Sequence, residues 1–141
     1  KGVPVADSLK TLKEAGAQAV ITMMTLAELA EHQADALPSL CAELHMDWFH
    51  LPVKDSCAPE EPFEQAFTRQ KTSLLTLVKS GVTMAIHCHG GSGRTGMMAA
   101  ILMLESGYAP AQVKKQIKII RPRSLTSPVQ VNYLNKQYGY E

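Results

Sequence analysis

Cys88 and Arg94, in the segment His87-Cys88-His89-Gly90-Gly91-Ser92-Gly93-Arg94-Thr95-Gly96, are spaced for nucleophilic chemistry on an anion. Glycines at 90, 91 and 93 let the backbone curl until successive N–H groups point at one centre. The helix that should follow the loop adds its own N-terminal amides and dipole to that cradle. Arg94 is placed to bring a guanidinium over the same centre and hold two oxygens of a phosphate together, which an ammonium cannot do. The same field favours the thiolate of Cys88, the form of cysteine that attacks. A thiolate beneath a ring of donors suits phosphoryl transfer, which asks mainly for in-line positioning and stabilisation of the equatorial oxygens. Thr95 is placed to hydrogen-bond the sulfur and ease its departure from an intermediate. His87 reads as a brace for the loop. A purely structural glycine turn around a buried cysteine would leave the glycines and the arginine unexplained.

The flanking sequence supplies elements to hold this segment. VTMAIH, from Val82 to His87, reads as a strand, and the apolar stretch from Gly96 to Ser106 as a helix stopped by Gly107. Upstream, Asp7 is expected to cap a short helix carrying Leu9 and Leu12 that stops at Gly16. Ala19 to Met24 reads as a buried strand. Thr25-Leu26-Ala27-Glu28 has the spacing of a capping box and opens a second helix. Pro38 sits in the first turn of a third, through His45. Asp47 to Leu51 has the aromatic content of a strand that Pro52 ends, and Val53 to Pro62 is a loop. Phe63, Phe67, Leu74 and Val78 then mark one face of a helix closed by Gly81. Pro110 opens a helix with Val113, Ile117 and Ile120 on one side, and Ser127 is the expected N-cap of a last helix through Tyr138. Strands alternating with helices predict an α/β fold: a central, mostly parallel sheet flanked by helices on both faces. No repeat or linker divides the chain, so residues 1–141 read as a single domain.

Composition excludes several function classes. Apolar residues make up 45% and charged residues 19%, unlike a disordered chain. Fourteen Lys+Arg against thirteen Asp+Glu leave a net charge of +1, so no global field recruits nucleic acid or a membrane surface. The apolar run from Met97 to Leu104 is far shorter than the roughly 20 residues that cross a bilayer. Cys41, Cys57 and Cys88 are an odd, sparse set, which suggests a reducing compartment and hence a cytoplasmic protein. His32, His45 and His50 lack metal-ligand spacing, and no metal or other cofactor is expected.

HCHGGSGRTG resembles the protein tyrosine phosphatase signature HC-x2-G-x2-R-[ST]. The small size is similar to the dual-specificity phosphatases. The paired glycines and the upstream PVKD segment resemble the kinase-associated (cyclin-dependent-kinase-inhibitor type) branch most. The resemblance in element order extends over most of the chain and implies the cysteine-phosphatase fold, with further sheet strands before residue 1. It implies a metal-independent phosphomonoesterase working through a phosphocysteine, with His89, Gly90, Gly91, Ser92 and Gly93 joining Arg94 around the phosphate. The family carries its general acid on a loop after a strand upstream of the cysteine. Asp55 holds that place, with Glu60 and Glu61 on the same loop as alternatives. Lys54 would guide the substrate, Arg123 would border the pocket, and Gln130 would orient the attacking water.

The implied partner is a phosphorylated protein or peptide. No aromatic pocket-deepening segment is present, which favours selectivity broader than phosphotyrosine alone. The same chemistry on a nucleotide, an RNA 5′ end or a phosphoinositide is the alternative, although the loop lacks the lysines that multiply phosphorylated inositols call for. A phospho-reader without turnover is the reading from a different class. Cys41 reads as a small buried apolar residue, and Cys57 as a partner for an oxidised Cys88 if the two Cα atoms lie within about 7 Å. A monomer is the expected state.

Overall fold

The computed structural model describes residues 5–55, 57–88, 93–120 and 124–140. Its elements run α1 (Val5–Glu14), β1 (Ala17–Thr22), α2 (Leu26–Glu31), α3 (Leu37–Glu43), β2 (Asp47–His50), α4 (Glu61–Lys79), β3 (Thr83–His87), α5 (Gly93–Glu105), α6 (Pro110–Ile120) and α7 (Pro128–Tyr138). Among the described residues the sheet has three strands in the order β2-β1-β3, and β1 is parallel to both neighbours.

A central parallel strand is covered on both faces, so it reads as a continuous apolar run rather than an alternating one. In β1 every residue except Gln18 is buried. A register irregularity between Ala17 and Ala19 leaves Gln18 exposed and resets which face each later residue meets. Val20 and Met24 then join Leu9 of α1, Leu29 of α2 and Leu37 and Cys41 of α3 in one cluster. Ala19, Ile21 and Met23 enter the larger cluster, built with Phe63 and Leu74 of α4, Met97 and Ile101 of α5, Val113 of α6 and Leu134 of α7. Helices therefore cover both faces, in the α/β arrangement the sequence predicts.

Several boundaries differ from expectation. β1 begins two residues earlier and ends at Thr22, although Met23 and Met24 beyond it stay buried. α1 starts at Val5, which places Asp7 inside the first turn, where it faces the helix dipole rather than capping the helix. Ser127 occupies the N-cap of α7, but its side chain makes no capping hydrogen bond. The correction that bears on function is α5, which begins at Gly93 rather than Gly96. The glycine-rich turn from Cys88 reads from sequence as running through Arg94; the tertiary contacts of Arg94 and Thr95 hold them in helical conformation. These two residues ride the first helical turn instead of a loop.

The parallel register brings three connections to one end of the sheet. Backbone pairing continues past the strands, with Met23 N–H donating to the His87 carbonyl (3.0 Å), Leu51 N–H to Thr22 (2.9 Å) and Val53 N–H to Met23 (3.0 Å). The segments that follow β1, β2 and β3 thus emerge side by side at the carboxyl edge, where open α/β sheets bind ligands.

Candidate active site

Cys88 directly follows β3 and is half-buried. Thr95, in the first turn of α5, donates its Oγ1 hydroxyl to Cys88 Sγ at 3.1 Å. This is the contact expected from the sequence, made from a helix rather than a loop.

Arg94 is the most enclosed charged side chain described, with 1% of its surface exposed. A buried guanidinium must be paired and hydrogen-bonded to be tolerated. Its Nη1 donates to Glu28 Oε1 (2.7 Å) and to the Val53 carbonyl (2.7 Å), with a longer contact to the Met23 carbonyl (3.5 Å). Its Nη2 donates to Glu28 Oε2 (3.0 Å), which completes a bidentate pair. Arg94 is therefore held by α2 and by the segments that follow β1 and β2. Asp55, on the connection after β2 and 68% exposed, brings Oδ1 to 3.7 Å from Nη2 at the mouth of the site.

The electrostatics follow from this arrangement. The Arg94 hydrogen bonds hold the Glu28 carboxyl below its ordinary range; burial opposes them, and the Thr25 amide reinforces them. Burial works against the Arg94 charge, but the Glu28 hydrogen bonds, aided by the neighbouring Glu28, Cys88 and Asp55 charges, hold it more firmly protonated than a free arginine. Burial, then the positive charge of Arg94, push His87 below its usual value and favour the neutral ring.

Glu28 was not singled out from the sequence as a site residue. The spacing from Thr25 identifies its local role, and that capping box is present: Thr25 N–H donates to Glu28 Oε1 (3.0 Å) and Glu28 N–H to Thr25 Oγ1 (3.2 Å). The same carboxylate also takes the arginine from α5. The available signal was an acidic residue just after a strand that ends beside the cysteine.

Of the other candidates, Gln130 is brought to the site. It is buried on α7, its Nε2 donates to the Cys57 carbonyl (3.3 Å), and its amide lies against Gly93. Its Oε1 has no hydrogen-bond partner among the described residues. Lys54 points instead toward Glu60, 3.9 Å away on the exposed side of the loop, and Glu61 accepts a hydrogen bond from Gln65. The expectations for His89, Gly90, Gly91, Ser92 and Arg123 fall on positions outside the described residues. Cys41 is fully buried, and burial pushes its thiol up, as befits an inert core residue; all three cysteines are free thiols. Among the described residues, no group of three or more His, Cys, Asp or Glu side chains is disposed to hold a metal ion. Nor is any described helix long and apolar enough to cross a membrane.

Comparison with known proteins places this geometry in context. Residues 3–136 match the family model PTP-SAK, described as the Swiss Army Knife protein, DSP-PTPase phosphatase domain. Cyclin-dependent kinase inhibitor 3 of Rattus norvegicus is 29% identical over 140 residues, which cover 94% of this chain and 62% of that protein. The chain thus spans less than two-thirds of the length of this curated relative. The crystal structure of kinase associated phosphatase, with its catalytic site cysteine substituted by serine, superposes with a TM-score of 0.80 at 23% identity, covering 96% of this chain and 78% of that one. Tk-PTP in its active form gives 0.74 at 19% identity, covering 99% and 89%. These likenesses carry the same α/β cysteine-phosphatase fold. The chain belongs to the PTP-SAK family of DSP-PTPase phosphatase domains.

Proposed function

We propose that this chain is a phosphomonoesterase of the protein-tyrosine and dual-specificity type, needing no metal and working through a phosphocysteine. The observation that carries the reading is the convergence on one buried guanidinium: Asp55 stands 3.7 Å from Arg94, and Thr95, the next residue, donates to the Cys88 sulfur. The Cys88 thiolate attacks phosphorus in line. The bond to the ester oxygen breaks as Asp55 gives that oxygen its proton. Arg94, with the amides of residues 89–93, stabilises the equatorial oxygens. Water then attacks the phosphocysteine, Asp55 takes the water's proton, and Thr95 stabilises the departing thiolate. The buried Gln130 Oε1 beside Gly93, without a hydrogen-bond partner among the described residues, supports a role in orienting that water.

Residues 1–141 form the catalytic domain, acting on phosphorylated protein or peptide in the cytoplasm. Turnover screens with phosphotyrosine, phosphothreonine, inositol phosphate and nucleotide substrates, with EDTA present, test this reading. Phosphopeptide hydrolysis that survives EDTA and disappears in Cys88→Ser is the expected result. Activity retained by Cys88→Ser removes the phosphocysteine, and phosphopeptide binding without turnover makes the chain a reader.

A further inference from the structure

A line of side-chain hydrogen bonds crosses all three strands and ends on the residue before Cys88. Trp48 of β2 donates its Nε1–H to Thr22 Oγ1 of β1 at 2.8 Å, and Thr22 Oγ1 lies 2.7 Å from Nε2 of His87 on β3. The parallel register aligns these positions, because Thr22 is opposite His87 on one side and His50 on the other. Thr22 is fully buried.

Direction along this line is set by what each group can do. An indole N–H only donates, so Thr22 Oγ1 must accept from Trp48. The Thr22 hydroxyl proton then has one described acceptor, His87 Nε2. Were Nε2 protonated, Thr22 would accept from both sides and its own proton would be buried without a partner. The proton of His87 therefore belongs on Nδ1, which makes no hydrogen bond among the described residues and so does not itself select the tautomer. The indole is fixed in turn: it stacks on His50 (centroids 5.2 Å apart, 16° between planes), and His50 Nε2–H donates to the Met24 carbonyl at 2.7 Å.

We propose that Trp48 and Thr22 are positioning residues that lock His87 as the neutral Nδ1–H tautomer behind the nucleophile. The inference rests on the phosphatase reading of Cys88, and it deepens that site. The surroundings favour a neutral ring. With Cys88, His87 borders a cavity of about 340 Å³ lined mainly by apolar side chains, among them Leu9, Leu12, Val20 and Met24, with His32 the other titratable group on its wall. Arg94, paired with Glu28 and facing Asp55, is the charge from α5; β2 contributes His50 behind Trp48; α1 contributes only Ser8, Leu9 and Leu12 to the cavity. Held this way, His87 presents a fixed donor and no titrating cation next to the cysteine. Thiolate chemistry then does not follow an imidazole titration.

The test is 15N NMR of histidine-labelled protein, paired with turnover of p-nitrophenyl phosphate as a function of pH. In the parent, His87 should show protonated Nδ1 and unprotonated Nε2 throughout neutral pH. Thr22→Val, which keeps the shape and removes the hydroxyl, should mix the two tautomers and lower kcat about tenfold with KM little changed, the lower end of the loss seen when the outer-shell partner of a metal-ligating histidine is removed. Trp48→Phe should shift the tautomer in the same direction, and Thr22→Ser should restore the parent on both readouts. A parent with the proton on Nε2, or a Thr22→Val protein with the parent tautomer, overturns the proposal. The Ser variant keeps the test decisive if the Val variant is poorly folded. Because the NMR readout needs no turnover, an inactive parent with a pinned Nδ1–H would sink the phosphatase reading and leave the hydrogen-bond line standing.

Discussion

Glu28 and Asp55 approach the same guanidinium and must do different work there, because their surroundings differ. Glu28 is largely covered and makes short, bidentate contacts, so it fixes where Arg94 points. Asp55 is exposed and at ion-pair distance only, which leaves its carboxyl accessible for the proposed proton transfer. Glu28→Gln keeps the shape but removes the counter-charge of a buried cation; hydrogen bonds to charged groups suggest a cost of about 2 kcal/mol in stability. Urea midpoints measure that loss, and phosphate affinity should fall with it as the arginine loses its brace. A Gln variant with parent stability and parent KM would mean that the Glu28 charge is not what holds Arg94 in place. Asp55→Asn should behave otherwise, with kcat down about 10²–10⁴-fold and inorganic phosphate still binding. A near-parent kcat would pass the acid role to Glu60 or Glu61, neither of which touches Arg94 in this structure.

At the scale of elements, α5 is the part that converts sheet geometry into site geometry. Its first turn carries Arg94 and Thr95, and its approach to the segment after α6 is so close that a Cβ on Gly96 would fall on the Ser124 side chain. Ser124 is fully buried, so neither side has room to yield. Gly96→Ala should therefore cost about 1–3 kcal/mol as overpacking and, on the proposed function, should also lower kcat, since the displaced turn carries Arg94 and Thr95. Unchanged midpoint and kcat would show that the turn accommodates a methyl group. This element also marks the limit of what the sequence reveals. The strand into Cys88, the helix after it and the capping box at Thr25 were legible because each is a local pattern of period, cap or turn. The start of α5 was not, because the contacts that hold Arg94 in its first turn come from residues distant in the chain. The second partner of Glu28 was hidden for the same reason: the ion pair joins positions 66 apart in the chain, and no local pattern encodes that.

Across the whole molecule, the groups that hold helices and sheet together respond to acid in one direction. Lys71 of α4 pairs with Glu105 of α5 at 2.9 Å, and Tyr138 of α7 donates to the same carboxylate at 2.7 Å. Burial opposes ionisation of Glu105, but these hydrogen bonds outweigh it and hold the carboxyl below its ordinary 4.5, as Arg94 does for Glu28. His87 is likewise held below its ordinary 6.5, chiefly by burial. In each case the unfolded chain binds a proton more readily than the folded one, so stability falls with pH wherever those protons are taken up. His87 begins to weaken the fold as pH drops past 6.5. The contributions of Glu28 and Glu105 are complete above 4.5 and are lost as pH falls through their lower folded values. At the alkaline end, burial first and then the hydrogen bond to Glu105 raise the Tyr138 phenol above its ordinary 10.0, so its contribution is lost as pH climbs past that value. Urea midpoints should therefore peak at neutral to mildly alkaline pH and descend in two steps on acidification. Glu28→Gln and Glu105→Gln should each shrink the lower step and leave the one near 6.5 intact. A midpoint that shows no further fall as pH drops well below 4.5 would mean that the Glu28 and Glu105 pairs contribute no net stability and serve only to fix geometry.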